Sequence, residues 1–190
     1  MTGKKIAKGQ YGYIKKQKLW VTVRTVCLYA LSLTIFGIGI AVLGTKENLL
    51  TVIAILGCLP AGRSTVNMIM FLRATGCSEK TMEIISKHAA GLTEVYDMFF
   101  TSYEKNYSVS HMVIKNNVVC GYTENSKTDC TACETHVDSY LKKGGCHGVA
   151  VKIFNDIEKY CESLQNLKKQ EETDNTQTMA ILENLLAISL

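Results

Sequence analysis

The residues best suited to chemistry are cysteines and histidines between positions 120 and 147. Cys130 and Cys133 have the spacing of half a zinc site, because one turn can direct both thiolates at the same ion. The second half of a site would be drawn from the remaining members of the cluster, Cys120, His136, Cys146 and His147. A zinc centre built on the four cysteines is therefore one hypothesis, and zinc is the one cofactor that the sequence leaves open.

The second half of such a zinc site is poorly defined. It contains no further CxxC pair, and adjacent side chains such as Cys146 and His147 point apart in any regular structure. Reduced, unligated thiols at a loop and a helix start are the favoured interpretation. A redox role for Cys130 and Cys133 would need a preceding strand and a βαβ context, which the pattern does not indicate.

Other catalytic patterns are weaker. A helix with Glu94, a hairpin and a strand with Lys152 loosely mimic a metal-dependent nuclease core, but Ala150 stands where the second carboxylate is needed. His111 shows no triad pattern, and the glycines near position 145 suit a turn better than a phosphate loop. The sequence therefore assigns no catalytic residue and leaves open whether the chain is an enzyme.

The distribution of apolar residues along the 190-residue chain is its strongest signal. Between positions 25 and 62 the only charged residues are Lys46 and Glu47, whereas positions 73–178 have an ordinary soluble composition. A single globular domain would not segregate its apolar residues in this way. We therefore predict a transmembrane helical hairpin over 19–73, with helices at about 21–45 and 49–72.

The first helix of this hairpin is the clearer one, since an uncharged stretch from position 25 to 45 can cross a hydrocarbon core of about 30 Å. The second is interrupted by Pro60 and Arg63. Either one tilted helix crosses with Arg63 reaching back to the interface, or the span ends near Pro60 and residues 64–73 form a separate interfacial helix. Both alternatives return the chain to the side on which it began.

Positive charge sets the expected orientation. Basic side chains without a balancing acid crowd the start of the chain: Lys4, Lys5, Lys8, Lys15, Lys16, Lys18 and Arg24. Because cytoplasmic flanks are enriched in Lys and Arg, we expect a multi-pass protein of the cell membrane with both termini in the cytoplasm. This basic segment, residues 1–18, directly precedes an apolar run, which favours an anionic lipid surface over nucleic acid.

Three residues are expected at the membrane interface: Trp20, Arg24 and Arg63. A sharper alternative makes Arg63, together with Asn67, part of an ion path or an oligomer contact. Gly37, Gly44 and Gly57 form a small-residue stripe that would permit close packing of helices, although no GxxxG motif is present.

The remaining chain predicts a cytoplasmic α+β domain over 76–168. Its expected order is helix, hairpin, helix, strand, helix, at 79–100, 107–115 with 118–123, 133–143, 149–154 and 157–168. Residues 169–190 are expected to form a polar linker and an amphipathic helix that docks on the domain, a partner or the membrane. No disulfide is expected among the eight cysteines, because cytoplasmic thiols stay reduced.

The preferred functional hypothesis is a non-enzymatic, membrane-anchored module that binds a partner or assembles with itself. Its expected partners are the lipid bilayer and either a second copy or another membrane protein. The alternative is a membrane-tethered zinc sensor or metal-dependent enzyme that uses the cluster at 120–147.

Overall fold

The computed structural model describes residues 6–44, 48–102, 105–170 and 175–190. Within these ranges the chain forms six helices and one four-stranded mixed sheet, which confirms the α+β class. It divides into two compact units, one of residues Lys15–Arg73 and one made by the chain on either side of that stretch.

The first unit is built from two long helices. Helix α1 (Tyr13–Leu43) has 31 residues and α2 (Leu49–Arg73) has 25, and both are long and apolar enough to cross a membrane. Helix α2 continues without a break through Pro60, so a separate interfacial helix at 64–73 is not formed. The Asn48 carboxamide begins α2 by accepting a hydrogen bond from the Thr51 amide at 2.8 Å. Most of the predicted connecting loop, residues 45–47, lies outside the described residues.

Small side chains line the contact between α1 and α2. Thr25 meets Ser64, Ser32 meets Gly57, and Gly39 meets Leu50, so the helices run antiparallel and touch once every seven residues. A Cβ on Gly57 would lie 2.7 Å from the Ser32 hydroxyl. At Gly57 the two helices are therefore too close together for a larger side chain.

The predicted small-residue stripe is only partly correct. A Cβ added at Gly37 or Gly44 would meet nothing within 4 Å, so these two glycines take no part in the helix contact. Gly39, which the stripe omitted, has its added Cβ 3.0 Å from Leu50 and takes their place.

The second unit is organised by a sheet of β1 (Thr93–Thr101), β2 (Asn106–Lys115), β3 (Val118–Tyr122) and β4 (Ala150–Phe154), in that spatial order. Strands β1 to β3 are antiparallel, and β4 runs parallel to β3. The predicted hairpin is confirmed, with Asn116 in its turn at a φ of 52°. The parallel step from β3 to β4 uses helix α4 (Cys130–Lys143) as its crossover.

The predicted helix over 79–100 is wrong in its second half. Helix α3 (Glu79–Ala89) ends before Gly91, which turns the chain with a φ of 86°, and residues 93–101 form β1. The domain therefore has four strands rather than three. Ser78 caps α3, because its side-chain oxygen accepts a hydrogen bond from the Thr81 amide.

The apolar spacing that imitated a helix has a local cause in β1. Val95 and Met98 lie three residues apart, yet both enter the same core. Between them Asp97 adopts a φ of 56°, and the register of β1 with β2 passes from the Tyr96–His111 pair to the Met98–Val109 pair, so the alternation of side chains is interrupted at Asp97. A step of three along this strand therefore returns to the same face of the sheet.

Each face of the sheet carries its own core. One core holds Met98, Met112, Val137, Leu141, Ile181 and Leu185, and is covered by α4 and by α6 (Asn175–Ile188). The other holds Ile85, Val113, Cys120, Tyr160 and Leu164, and is covered by α3 and by α5 (Ile157–Lys169). The C-terminal helix α6 thus docks on its own domain, which selects one of the three predicted alternatives.

Residues on both sides of the helical hairpin belong to this second unit. The Gly9 carbonyl accepts a hydrogen bond from the Tyr96 amide at 2.8 Å, and Ile14 packs with Ala74 and Phe99. The basic segment predicted over 1–18 is therefore divided between the two units, because residues 6–14 belong to the second unit and residues 15–18 belong to the helical hairpin. Residues 1–5 lie outside the described residues.

Candidate functional site

The four cysteines proposed for zinc lie on opposite faces of the sheet. Cys120 of β3 belongs to the core beneath α5, where its sulfur is 3.4 Å from the Ser163 hydroxyl. Cys133 and Cys146 belong to the core beneath α4 and α6, with Cys130 packed at its margin. The Asn184 amide donates a hydrogen bond to the sulfur of Cys146 at 3.3 Å. The sheet therefore separates Cys120 from the other three.

The environment of these thiols favours their protonated form. Burial raises the pKa of Cys133 to about 12, with added repulsion from negative charge at Cys130, Glu134 and Asp129. Burial also raises the pKa of Cys120. Cys120 and Cys133 are therefore protonated thiols at neutral pH.

Across the part of the chain that the structure describes, no three His, Cys, Asp or Glu side chains are placed to hold one metal ion. His136 packs instead against the rings of Tyr107 and Tyr140, and His147 is exposed. The geometry gives no support to the zinc hypothesis.

The residues of the nuclease-like pattern do not converge either. Glu94 lies on β1 rather than on a helix, and Lys152 lies on β4, at the opposite edge of the sheet. The Lys152 ammonium is 3.1 Å from a carboxylate oxygen of Glu134, which also accepts a hydrogen bond from the Ile153 amide. Lys152 therefore ties α4 to the edge of the sheet.

The densest chemical cluster is a row of rings crossing all four strands. Register pairs Tyr96 with His111, His111 with Tyr122, and Tyr122 with Phe154. Tyr160 of α5 lies over the row and is stacked on Tyr122 with ring centroids 5.6 Å apart. The face of the sheet beneath α5 is thus lined with aromatic rings around one histidine.

His111 forms hydrogen bonds through both ring nitrogens. The Tyr160 hydroxyl is 2.7 Å from Nδ1, and a carboxylate oxygen of Glu94 is 3.2 Å from Nε2. The Tyr96 hydroxyl donates to the same Glu94 oxygen at 3.1 Å. The hydrogen bond from His111 is the main reason that the pKa of Glu94 is lowered, with a smaller contribution from Tyr96.

The protonation states in this network follow from burial. Burial raises the pKa of Tyr160 well above its ordinary value, so the hydroxyl keeps its proton. Because the Glu94 carboxylate can only accept, Nε2 of His111 is the donor in its hydrogen bond to Glu94. His111 and Tyr160 are completely buried, so a solute in water would meet only Glu94 and Tyr96. The network therefore fastens α5 to β1 and β2, and we assign it a structural role.

A buried carboxylate, Asp97, organises the chain on either side of the helical hairpin. Its two oxygens accept hydrogen bonds from the Cys77 amide at 2.7 Å and the Ile14 amide at 3.3 Å. Burial raises the pKa of Asp97, and the backbone donors oppose that shift. Burial, followed by Glu124 and Asp97, raises the pKa of Cys77 to about 12. Cys77 is therefore a thiol and not an activated nucleophile.

The three predicted interface residues lie on the helical hairpin. Trp20 is 63% exposed, and Arg63 makes no hydrogen bond or ion pair with any described residue. The Nε of Arg24 donates to the Ser64 hydroxyl at 3.3 Å, and that hydroxyl is 2.8 Å from the Thr25 hydroxyl. Polar side chains therefore meet in the contact between α1 and α2 at the level of the two arginines.

The chain matches no family model, curated protein or solved structure.

Sequence reasoning gave His111 no functional role, and the structure agrees that it is a satisfied core residue. It missed the aromatic row and the link between Arg24 and Ser64. The row depends on strand register across β1 to β4, and the link joins residues 40 positions apart. Neither leaves a local spacing that a motif search detects.

Proposed function

We propose that this protein is a membrane-anchored module. Helices α1 and α2 cross the bilayer as a hairpin, and the α+β unit lies on the cytoplasmic side with the lysine-rich end of the hairpin. The α+β unit binds a partner or a second copy, and the exposed hairpin surface contacts lipid and neighbouring membrane helices. The four-cysteine zinc alternative is not part of this proposal, because the sheet separates Cys120 from the other three thiols.

One observation carries the anchor. The hairpin is apolar outside and has small or polar residues inside: Leu33 is 68% exposed, Val42 72% and Leu59 70%, while Ser32 and Ser64 are buried. Each Å² of apolar surface left in water costs about 25 cal/mol, so such a surface needs a nonaqueous partner. In each helix only 17% of the most apolar 18-residue stretch is buried, whereas the core helix of a soluble domain is mostly buried.

The dimensions of the hairpin fit a bilayer. Residues 25–43 of α1 carry no charge and extend about 28 Å at about 1.5 Å per residue, close to the roughly 30 Å of a hydrocarbon core. On α2 the uncharged stretch before Arg63 is shorter, about 21 Å, and the long arginine side chain can extend to the headgroups.

Charge supports the orientation. The antiparallel contacts bring Lys15, Lys16 and Lys18 of α1 to the same end of the hairpin as Arg63 and Arg73 of α2. By sequence the opposite end offers only Lys46, beside Glu47. The positive-inside rule then assigns the lysine-rich end to the cytoplasm.

Two measurements on the full-length protein in cells test this proposal. Alkaline extraction should leave the protein in the membrane pellet, and Leu33→Arg should reduce insertion by roughly 3 kcal/mol because it puts a charge at the centre of α1. Lys127→Arg, which keeps the charge of an exposed loop residue, should change nothing. A wild-type protein released as a soluble monomer would contradict the anchor.

The orientation is tested by labelling with a membrane-impermeant maleimide. Lys46→Cys should react in intact cells, whereas Lys168→Cys, at an exposed position of α5, should react only after lysis. The reverse pattern would refute the cytoplasmic assignment while leaving the anchor intact.

A further inference from the structure

A groove of about 790 Å³ lies along the contact between α1 and α2, at the level of Arg24 and Arg63. Apolar side chains form much of its wall: Leu28, Pro60, Val66 and Met70. The two arginines and the carboxamide of Asn67 lie among them. The groove therefore combines positive charge with an apolar lining, within one helical hairpin.

The guanidinium of Arg24 is held in place by a directed chain of hydrogen bonds. The Thr25 hydroxyl donates to the Val21 carbonyl at 2.7 Å, so the Ser64 hydroxyl must be the donor in its 2.8 Å bond to Thr25. Ser64 is then free to accept from Arg24 Nε. This leaves the two terminal nitrogens of Arg24, which bond to no described residue, for an external acceptor.

No acid in the described hairpin neutralises either arginine. The sequences of α1 and α2 contain neither Asp nor Glu, and Arg63 pairs with no described residue. Guanidinium groups bind phosphate oxygens through paired, charge-assisted hydrogen bonds. The acceptor that suits this pair of arginines is therefore a phosphate group.

We propose that the groove binds an anionic phospholipid, with the headgroup phosphate between Arg24 and Arg63 and an acyl chain along Leu28 and Pro60, which lie on the bilayer side of the two arginines. The apolar lining favours a lipid over free phosphate, which would leave those side chains without a partner. This inference rests on the proposed function, because it requires the hairpin to lie in a bilayer.

The single tryptophan of the protein supplies a local probe. Trp20 lies one turn before Arg24 on the same side of α1, and bromine atoms on lipid chains quench nearby tryptophan fluorescence. The full-length protein is placed in nanodiscs of phosphatidylcholine that contain a minor fraction of brominated phosphatidylglycerol or brominated phosphatidylcholine. The quenching preference for the anionic lipid is the measured quantity.

Two double variants that lose the same charge distinguish lipid binding in the groove from nonspecific electrostatic attraction of anionic lipid to the hairpin. R24Q/R63Q removes both groove arginines, and K15Q/R73Q removes two exposed charges from the same end of the hairpin, outside the groove. Wild type should prefer phosphatidylglycerol, and R24Q/R63Q should lower the preference about tenfold more than K15Q/R73Q does. Circular dichroism of the same nanodiscs verifies that each variant keeps its helices.

Each other outcome has a definite meaning. Equal losses in the two double variants, or equal quenching by both lipids in wild type, would overturn the site but leave the anchor standing. If inorganic phosphate displaced the lipid, the groove would be a site for the free anion, and the proposal of a bound phospholipid would be wrong. Failure of folded wild type to enter nanodiscs would overturn the anchor itself.

Discussion

Replacing Tyr160 with phenylalanine removes one hydroxyl from the core beneath α5 and retains the ring. The hydroxyl lies 2.7 Å from Nδ1 of His111, and both residues are completely buried, so no water can take its place without rearrangement. Leaving a buried hydrogen-bonding group without its partner costs about 1–3 kcal/mol. We therefore expect Tyr160→Phe to lower the free energy of unfolding of the α+β unit by that amount.

The protein contains its own reporter for this measurement. Cys120 is 3% exposed, lies in the same core as Tyr160, and becomes reactive only when that core opens. Its rate of alkylation in the full-length protein, followed by mass spectrometry across a urea series in micelles, gives the population of the open state. Tyr160→Phe should raise that population by about fivefold to a hundredfold.

Tyr140→Phe is the matched control. Tyr140 is 38% exposed, and its hydroxyl bonds to no described residue, so its removal should change the free energy by less than about 0.5 kcal/mol. If the two phenylalanine variants were equally stable, the network around His111 would not hold α5 on the sheet.

Three further outcomes follow from the structure. Gly57→Ala should destabilise the helix pair, because its new methyl group would lie 2.7 Å from a serine oxygen, whereas Gly37→Ala should be neutral or stabilising by up to about 1 kcal/mol; thermal unfolding in micelles compares the two. The pKa of Glu94 is lowered by folding, so its contribution to stability is complete above its ordinary pKa of 4.5 and is lost as pH falls toward the lower folded value; the stability difference between wild type and Glu94→Gln should shrink in acid. Cys77 and Cys133, both with a pKa raised to about 12, should react with maleimide at neutral pH far more slowly than denatured protein does.

The elements that sequence predicted well are those with a single local cause. An uncharged stretch long enough for a bilayer needs no tertiary information. Helix α2 lies close to the predicted 49–72, whereas α1 begins at Tyr13, eight residues before the predicted start at 21. Asn116 at a turn between alternating strands likewise predicts the hairpin.

The segment 90–101 could not be predicted in the same way, because its spacing depends on contacts with residues far away in the sequence. Asp97 turns out of the regular alternation and accepts hydrogen bonds from the amides of Ile14 and Cys77, which are distant in sequence. The spacing from Val95 to Met98 that results is indistinguishable from a helical one.

The candidate sites show the same limit. The spacing of Cys130 and Cys133 suggested zinc, but the partner ligands depended on which face of the sheet each cysteine occupied, and Cys120 occupies the opposite face. The groove at Arg24 and Arg63 depends on the alignment of two antiparallel helices, which is set by Ser32 against Gly57 and by Thr25 against Ser64.

The packing of Ile14 with Ala74 and Phe99 has a consequence for how the protein is made. Residues 15–73 form a loop whose two ends are held together inside the α+β unit. Because every strand of that unit follows residue 73 in the chain, the hairpin leaves the ribosome before any of these strands has been synthesised. The unit completes itself only when β1 arrives to join what lies on either side of the hairpin. We therefore expect the second unit to fold after the hairpin, and its folding to hold the two ends of the hairpin together.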